Sequence, residues 1–186
     1  MYGKIGRLIV VALCSLLLNV SVIHAQAPAQ APTQAPAPAQ AQAAGTGPRF
    51  ADNGNSTLVD MLTGLIWTKD GNTPGPPACG TASPKTWRGA QDYIDCLNLN
   101  NYLGFKDWRL PDVSELGSLV SIGHENAATW LNTQGFSNVQ DGFYWSLTAN
   151  SLSMNASAVN LHHGFAFPFK KTANNYYVWP VRGGGR

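Results

Sequence analysis

The stretch Asp107-Trp108-Arg109-Leu110-Pro111-Asp112-Val113-Ser114-Glu115-Leu116 constrains the chain more than any other. An extended aromatic segment runs into Pro111, and a helix start follows at once. Trp108 and Leu110 fall on one face of the extended segment and Arg109 on the other. Asp112, with Glu115 three residues on, has the spacing of a capping box. The helix it opens turns Val113, Leu116, Leu119 and Val120 inward. The pattern predicts a strand from Phe105 to Leu110 and a helix from Val113 to about Ser121. Nothing in it resembles a reaction centre. Arg109, set among Asp107, Asp112 and Glu115, is expected to pin the junction through an ion pair.

Upstream the chain changes character twice. Residues 1–25 have the three parts of a secretory signal: Lys4 and Arg7, the apolar run Leu8 to Val20, and a small residue at Ala25. The apolar run is shorter than the roughly 20 residues that a bilayer span needs, so no membrane insertion is expected after cleavage. Cys14 lies inside that run and reads as filler. Residues 26–48 are dominated by Ala, Pro and Gln and read as a solvated, partly polyproline-like spacer. The folded domain is placed at 49–186.

Two of the 12 Lys and Arg residues belong to the signal, which leaves the mature chain formally neutral against its 10 acids. A nucleic-acid partner therefore loses its electrostatic support. Cys79 and Cys96 remain as an even pair in an exported chain, most simply a disulfide closing a loop of about 17 residues and contributing about 3 kcal/mol. Zinc is the weaker alternative, since no second Cys or His lies at ligand spacing.

Within the domain, Thr57 to Met61 and Leu65 to Lys69 read as strands joined by a Thr63-Gly64 turn. A Gly- and Pro-rich loop follows. A helix is predicted from about Trp87 to Leu97, buried through Trp87, Ala90, Ile94 and Leu97 and ended by the Asn98–Asn101 cluster. Gly123 to Asp141 reads as an irregular segment. Phe143 to Thr148, Ala156 to Leu161, Phe165 to Phe169 and Tyr176 to Arg182 read as strands, with His163-Gly164 as a hairpin turn. Pro168 and Pro180 each remove a ladder donor, which places their strands at edges or bulges.

These motifs, taken in order, resemble a known family. Arg49 to Gly54, Thr57, Asp60 and Leu62 to Trp67 look like its opening. Trp87, Ala90, Cys96 and Leu97 are similar to its first helix. Asp107-Trp108-Arg109-Leu110-Pro111 with Glu115-Leu116 is its central motif. Tyr144-Trp145-Ser146, Val159-Asn160-Leu161 with Gly164, and Tyr177-Val178 with Pro180 to Gly184 match its end. The family is a bacterial domain of unknown function named for the C-terminal domain of the collagen-like adhesin Lcl. The resemblance covers residues 49–184. It implies an α+β, C-type-lectin-like fold, with two helices packed on a small twisted antiparallel or mixed sheet and the chain ends close together. It also implies export or surface display and, in the adhesin branch, binding of sulfated polysaccharides. No collagen-like Gly-x-y region occurs, so trimerisation through such a stalk is not supported. Leu147, Ser157 and Trp179 depart from the family pattern, all toward the C-terminus.

Six Trp residues invite a sugar-stacking account. Trp67, Trp87, Trp108 and Trp145 stand at motif positions and are expected in the core. Trp130 and Trp179 are the surface candidates, joined by Lys170 and Lys171 as cations for an anionic glycan and flanked by the Asn-rich Asn150–Asn155 and Asn174–Asn175. Arg182 is expected to anchor the terminus. His162 and His163, adjacent on a strand, would point to opposite faces and so not share an ion, and no metal or other cofactor is expected. The calcium-binding triplets of sugar-binding C-type lectins are absent from the sequence, and no nucleophile sits in a recognisable elbow.

The sequence thus predicts an exported, non-catalytic binding module, periplasmic or at the cell surface, that recognises a polysaccharide or a surface protein in adhesion. The alternatives are an envelope assembly component meeting a partner protein through an exposed sheet edge, and a diversified C-type-lectin-like ligand binder.

Overall fold

A computed structural model describes residues 47–120, 124–149 and 152–184. The expected signal and nearly all of the expected spacer lie outside these residues, as do Ser121, Gly123 and Asn150. The described unit is α+β, with two antiparallel sheets and three α-helices among the described residues. The first sheet contains β1 (Phe50–Asp52), β2 (Thr57–Asp60), β3 (Leu65–Thr68) and β7 (Val181–Gly183), in the order β1-β2-β3-β7. The second contains β4 (Phe143–Ala149), β5 (Asn155–Asn160) and β6 (Ala166–Lys170), paired in that order. The helices are α1 (Trp87–Leu99), α2 (Val113–Val120) and α3 (Ala127–Thr133). No helix among the described residues is long and apolar enough to cross a membrane.

The second sheet lies between two cores. Alternate residues of β4 and β5 serve opposite faces, as a pleat requires. Tyr144 and Val159 join Leu58, Trp67, Leu116, Leu119, Leu131 and Trp179 on one side. Trp145 and Ala158 join Ala90, Tyr93, Ile94, Leu97 and Trp108 of the α1 side on the other. α1 forms because Thr86 Oγ1 accepts the Gly89 amide at 3.1 Å and because Ala90, Tyr93, Ile94 and Leu97 make one buried stripe. The disulfide ties its Cys96 to Cys79 in the turn before it, with Cα atoms 5.7 Å apart.

The capping box at α2 is present in both directions. The Glu115 amide donates to Asp112 Oδ1 at 2.8 Å, and the Asp112 amide donates to Glu115 Oε2 at 2.7 Å.

Four expectations need correction. The segment after Gly123 is not wholly irregular: Asn126 caps α3 by accepting the Thr129 amide at 3.0 Å, and Ala127, Ala128 and Leu131 are buried. Two helices become three. The strand expected from Phe105 to Leu110 is reduced to one bridge, Arg109 to Val181. The Asn98 side chain takes the place of a neighbouring strand there, accepting the Trp108 amide at 2.8 Å and donating to the Trp108 carbonyl at 2.9 Å. Tyr176 to Arg182 is likewise not one strand, because Tyr176 and Tyr177 make separate bridges to Lys85 and Tyr144 and pairing with β3 begins at Val181, after Pro180. Finally, β1 was not foreseen as a strand. It pairs with β2, and Arg49 just before it grips the buried Asp60 carboxylate at 2.6 Å.

Candidate functional site

The residues expected to meet a ligand do not converge. Trp179 is wholly buried, and its indole N–H donates to the Thr68 carbonyl at 2.9 Å. It stacks edge-on against Trp67 and Phe136 at 5.3 and 5.0 Å, so it is a core residue and not a surface one. Trp130 is half-buried on α3, stacked on His124 at 4.7 Å. Lys171 is half-buried; its ammonium lies 4.7 Å from the Trp87 ring centre and donates to the Ser153 carbonyl at 2.9 Å. Lys170 is exposed and closes β6 instead of lying in a loop.

The motif residues instead hold the fold. Arg109 grips Glu115 through both carboxylate oxygens, at 2.7 and 2.6 Å, and donates to the Gly183 carbonyl at 3.1 Å. Arg182 grips Asp107 at 2.8 and 3.0 Å, its guanidinium 3.8 Å from the Phe105 ring centre. That pairing keeps the Asp107 carboxyl below its ordinary range. Trp67, Trp108 and Trp145 are buried, and Trp87 is half-buried with its N–H on the Ser146 carbonyl at 2.9 Å. Leu110 is buried, and the Pro111 carbonyl accepts the Leu147 amide at 2.7 Å.

His162 and His163 also differ from expectation. β5 ends at Asn160, so the two side chains leave a turn, and their rings lie 4.1 Å apart. His162 Nδ1 sits 2.8 Å from Asp141 Oδ2, which also accepts Asn126 Nδ2 at 2.9 Å. His162 holds the Asp141 carboxyl below its usual range. No group of three or more His, Cys, Asp or Glu suited to a metal ion occurs among the described residues.

What the fold does assemble is a polar cleft of about 360 Å³ where β3 gives way to the Gly- and Pro-rich loop. Its walls include Lys69, Asp70, Asn72 and Thr73 from that loop, Ser56 before β2, Thr81 and Ala82 before α1, Tyr102 after α1, and Ser137 after α3. Backbone bonds across it fix its shape: the Gly71 amide donates to the Ser137 carbonyl at 2.8 Å, and the Ser137 amide to the Lys69 carbonyl at 2.9 Å.

Three non-glycine residues of these walls hold positive φ: Ser56 at 63°, Thr73 at 50° and Ala82 at 53°. For a β-branched residue such as Thr73 this conformation is strained, and it persists only where surrounding bonds impose it. They do here. Thr73 is buried, its amide donates to the Val178 carbonyl at 3.1 Å, its carbonyl accepts the Ala82 amide at 3.1 Å, and its hydroxyl accepts the Val178 amide at 3.2 Å.

The polar groups of the cleft are equally specific. Asp70 accepts the Asn72 amide at 2.7 Å on one oxygen and Asn138 Nδ2 at 2.8 Å on the other. Lys69 is paired with Asp52 at 2.5 Å. Asn72 Oδ1 is buried without a hydrogen-bond partner, and so is the hydroxyl of Tyr93, close to Gly75 in the wall. Burial raises the Tyr93 hydroxyl well above the usual phenol range and the Tyr102 hydroxyl above it, with Asp70 a further cause, so both are neutral donors at physiological pH. Sequence reasoning missed this site. Its signal is Asp70-Gly71-Asn72-Thr73-Pro74-Gly75, which sets polar side chains within turn punctuation.

A second surface lies along β6. Phe165 and Phe167 are 63 and 48 % exposed and continue a file of rings through Phe169 and Tyr176 to the α1-side core.

Together these features define a small disulfide-stapled α+β domain that presents a polar cleft on a rigid frame. The chain belongs to the Lcl C-terminal domain family, which matches residues 56–182. Comparison with curated proteins found no match.

Proposed function

We propose that the protein is an exported, non-catalytic binding module of C-type-lectin-like fold that recognises a polysaccharide at the periplasm or cell surface. The observation that carries this reading is the cleft around Asp70 and Asn72, where strained, hydrogen-bonded backbone holds carboxylate, amide and hydroxyl groups beside an aromatic side chain. Such a set suits a polyhydroxyl ligand, whose hydroxyls need several placed partners and whose ring faces favour an aromatic wall. The placement of the first and last strands in one sheet supports the lectin-like fold. Family membership supports surface display.

The full mature chain on a glycan array of neutral and sulfated polymers, at low and high salt, tests the reading. Binding to a defined glycan class is expected. Folded protein that binds none of them sinks it.

A second reading, an envelope component that docks a partner protein, draws support from the exposed Phe165 and Phe167. It needs a face contact and not strand addition. In the β5–β6 ladder the Lys171 amide bonds the Met154 carbonyl and the Asn160 amide bonds the Phe165 carbonyl. This alternation turns position 168 toward the free edge, where Pro168 offers no donor. Co-purification of a partner from envelope fractions that is lost on Phe167→Ser is the outcome that favours this reading.

A further inference from the structure

We infer that the cleft takes a saccharide rich in hydroxyl or amine donors and free of sulfate and carboxylate groups. This rests on the cleft being the glycan site, and it narrows the ligand by the charge and hydrogen-bonding sense of the walls.

The charged side chains of the walls are Lys69 and Asp70. Lys69 is balanced by Asp52 at 2.5 Å in a half-exposed pair, whereas Asp70 makes no ion pair among the described residues, so its carboxylate is the unbalanced charge of the walls. Each Asp70 oxygen accepts one bond from the protein and keeps a lone pair for a ligand. A sulfate entering here would face that carboxylate and would have to share Lys69 with Asp52. Like charges at such range disfavour the complex, whereas a hydroxyl or an ammonium meets a ready acceptor.

Asn72 points the same way. The side chain is half-buried, and its Oδ1 faces inward without a partner. Turning that oxygen toward the cleft breaks no hydrogen bond at Oδ1, and a ligand donor would satisfy a group now left unpaired. The Ser137 hydroxyl, which makes only a long 3.5 Å bond to the Lys69 carbonyl, adds a further acceptor. The Asp70, Asn72 and Ser137 oxygens of the wall are thus short of partners that donate to them.

The test is calorimetric titration of the full mature protein with three probes: cellohexaose, a glucosamine hexamer and a heparin hexasaccharide. Binding is expected for cellohexaose or the glucosamine hexamer, with cellohexaose affinity indifferent to salt and glucosamine affinity reduced by it. Asn72→Ala is expected to weaken that binding at least about tenfold. Thr81→Trp, which puts a bulky ring into the wall of the cleft, is expected to abolish it and keeps the test informative if Asn72→Ala fails to fold.

Heparin binding that either variant removes would overturn the ligand class while leaving the cleft as the glycan site. Cellohexaose or glucosamine binding untouched by both variants would overturn the site. Folded protein that binds none of the three overturns the inference, and the broader glycan reading is then decided separately by the array.

Discussion

Arg109 joins three parts of the chain at once: its own segment, the start of α2 through Glu115, and the end of β7 through the Gly183 carbonyl. The side chains of the Arg109–Glu115 pair are only 19 and 18 % exposed, so water compensates poorly for their loss. Arg109→Ala should cost about 2 kcal/mol in equilibrium denaturation while leaving ligand affinity unchanged. A stability change within experimental error would mean that the clasp is dispensable. The acidic partners give a pH signature. Asp107 and Asp141 are held below the ordinary value of 3.8 by Arg182 and His162 respectively. A carboxylate with a depressed folded pKa contributes stability above its unfolded value and loses it as pH falls through the folded one. The melting temperature should therefore stay level from about pH 7 to about pH 5 and decline below about pH 4. A melting temperature that holds level below about pH 4 would contradict this.

Elements were legible where periodicity and caps agreed. α1 and α2 follow from Thr86, from the Asp112–Glu115 box and from their buried stripes, and β6 is an edge strand as Pro168 requires. α3 was hidden because its seven residues, Ala127–Thr133, are too few to show a helical period, although Asn126 and the Ala-Ala-x-x-Leu spacing marked it. The strand at Phe105 to Leu110 looked sound and failed for a tertiary reason. Asn98, distant by a helix end and a turn, satisfies the Trp108 backbone that a neighbouring strand would otherwise have bonded. Removing that amide should leave both Trp108 backbone groups without partners. Asn98→Ala is accordingly expected to cost about 2 kcal/mol or more in chemical denaturation, and Asn98→Asp less, since it keeps the acceptor. An equal cost for the two would show that the Trp108 amide is not held this way.

Across the molecule, the aromatic and charged family motifs build the frame, and the cleft comes from groups that no motif marked. Trp179 illustrates the difficulty: it departs from the family pattern, which suggested exposure, yet it lies at the centre of the core against Trp67. Departure from a pattern reports a changed packing partner as readily as a changed ligand. The cleft residues were invisible for a different reason. Ser56, Asp70, Asn72, Thr73, Tyr102 and Ser137 are scattered along the chain and meet only when β2, β3, α1 and α3 are in place. Their meeting is what a glycan at this cleft would read. The direct test is backbone amide chemical-shift mapping of the isotope-labelled protein during titration with the bound oligosaccharide. Saturable perturbations centred on Asp70, Asn72, Thr73 and Ser137 are predicted; perturbations centred instead on Phe165, Phe167 and Lys170 would contradict the cleft as the binding site.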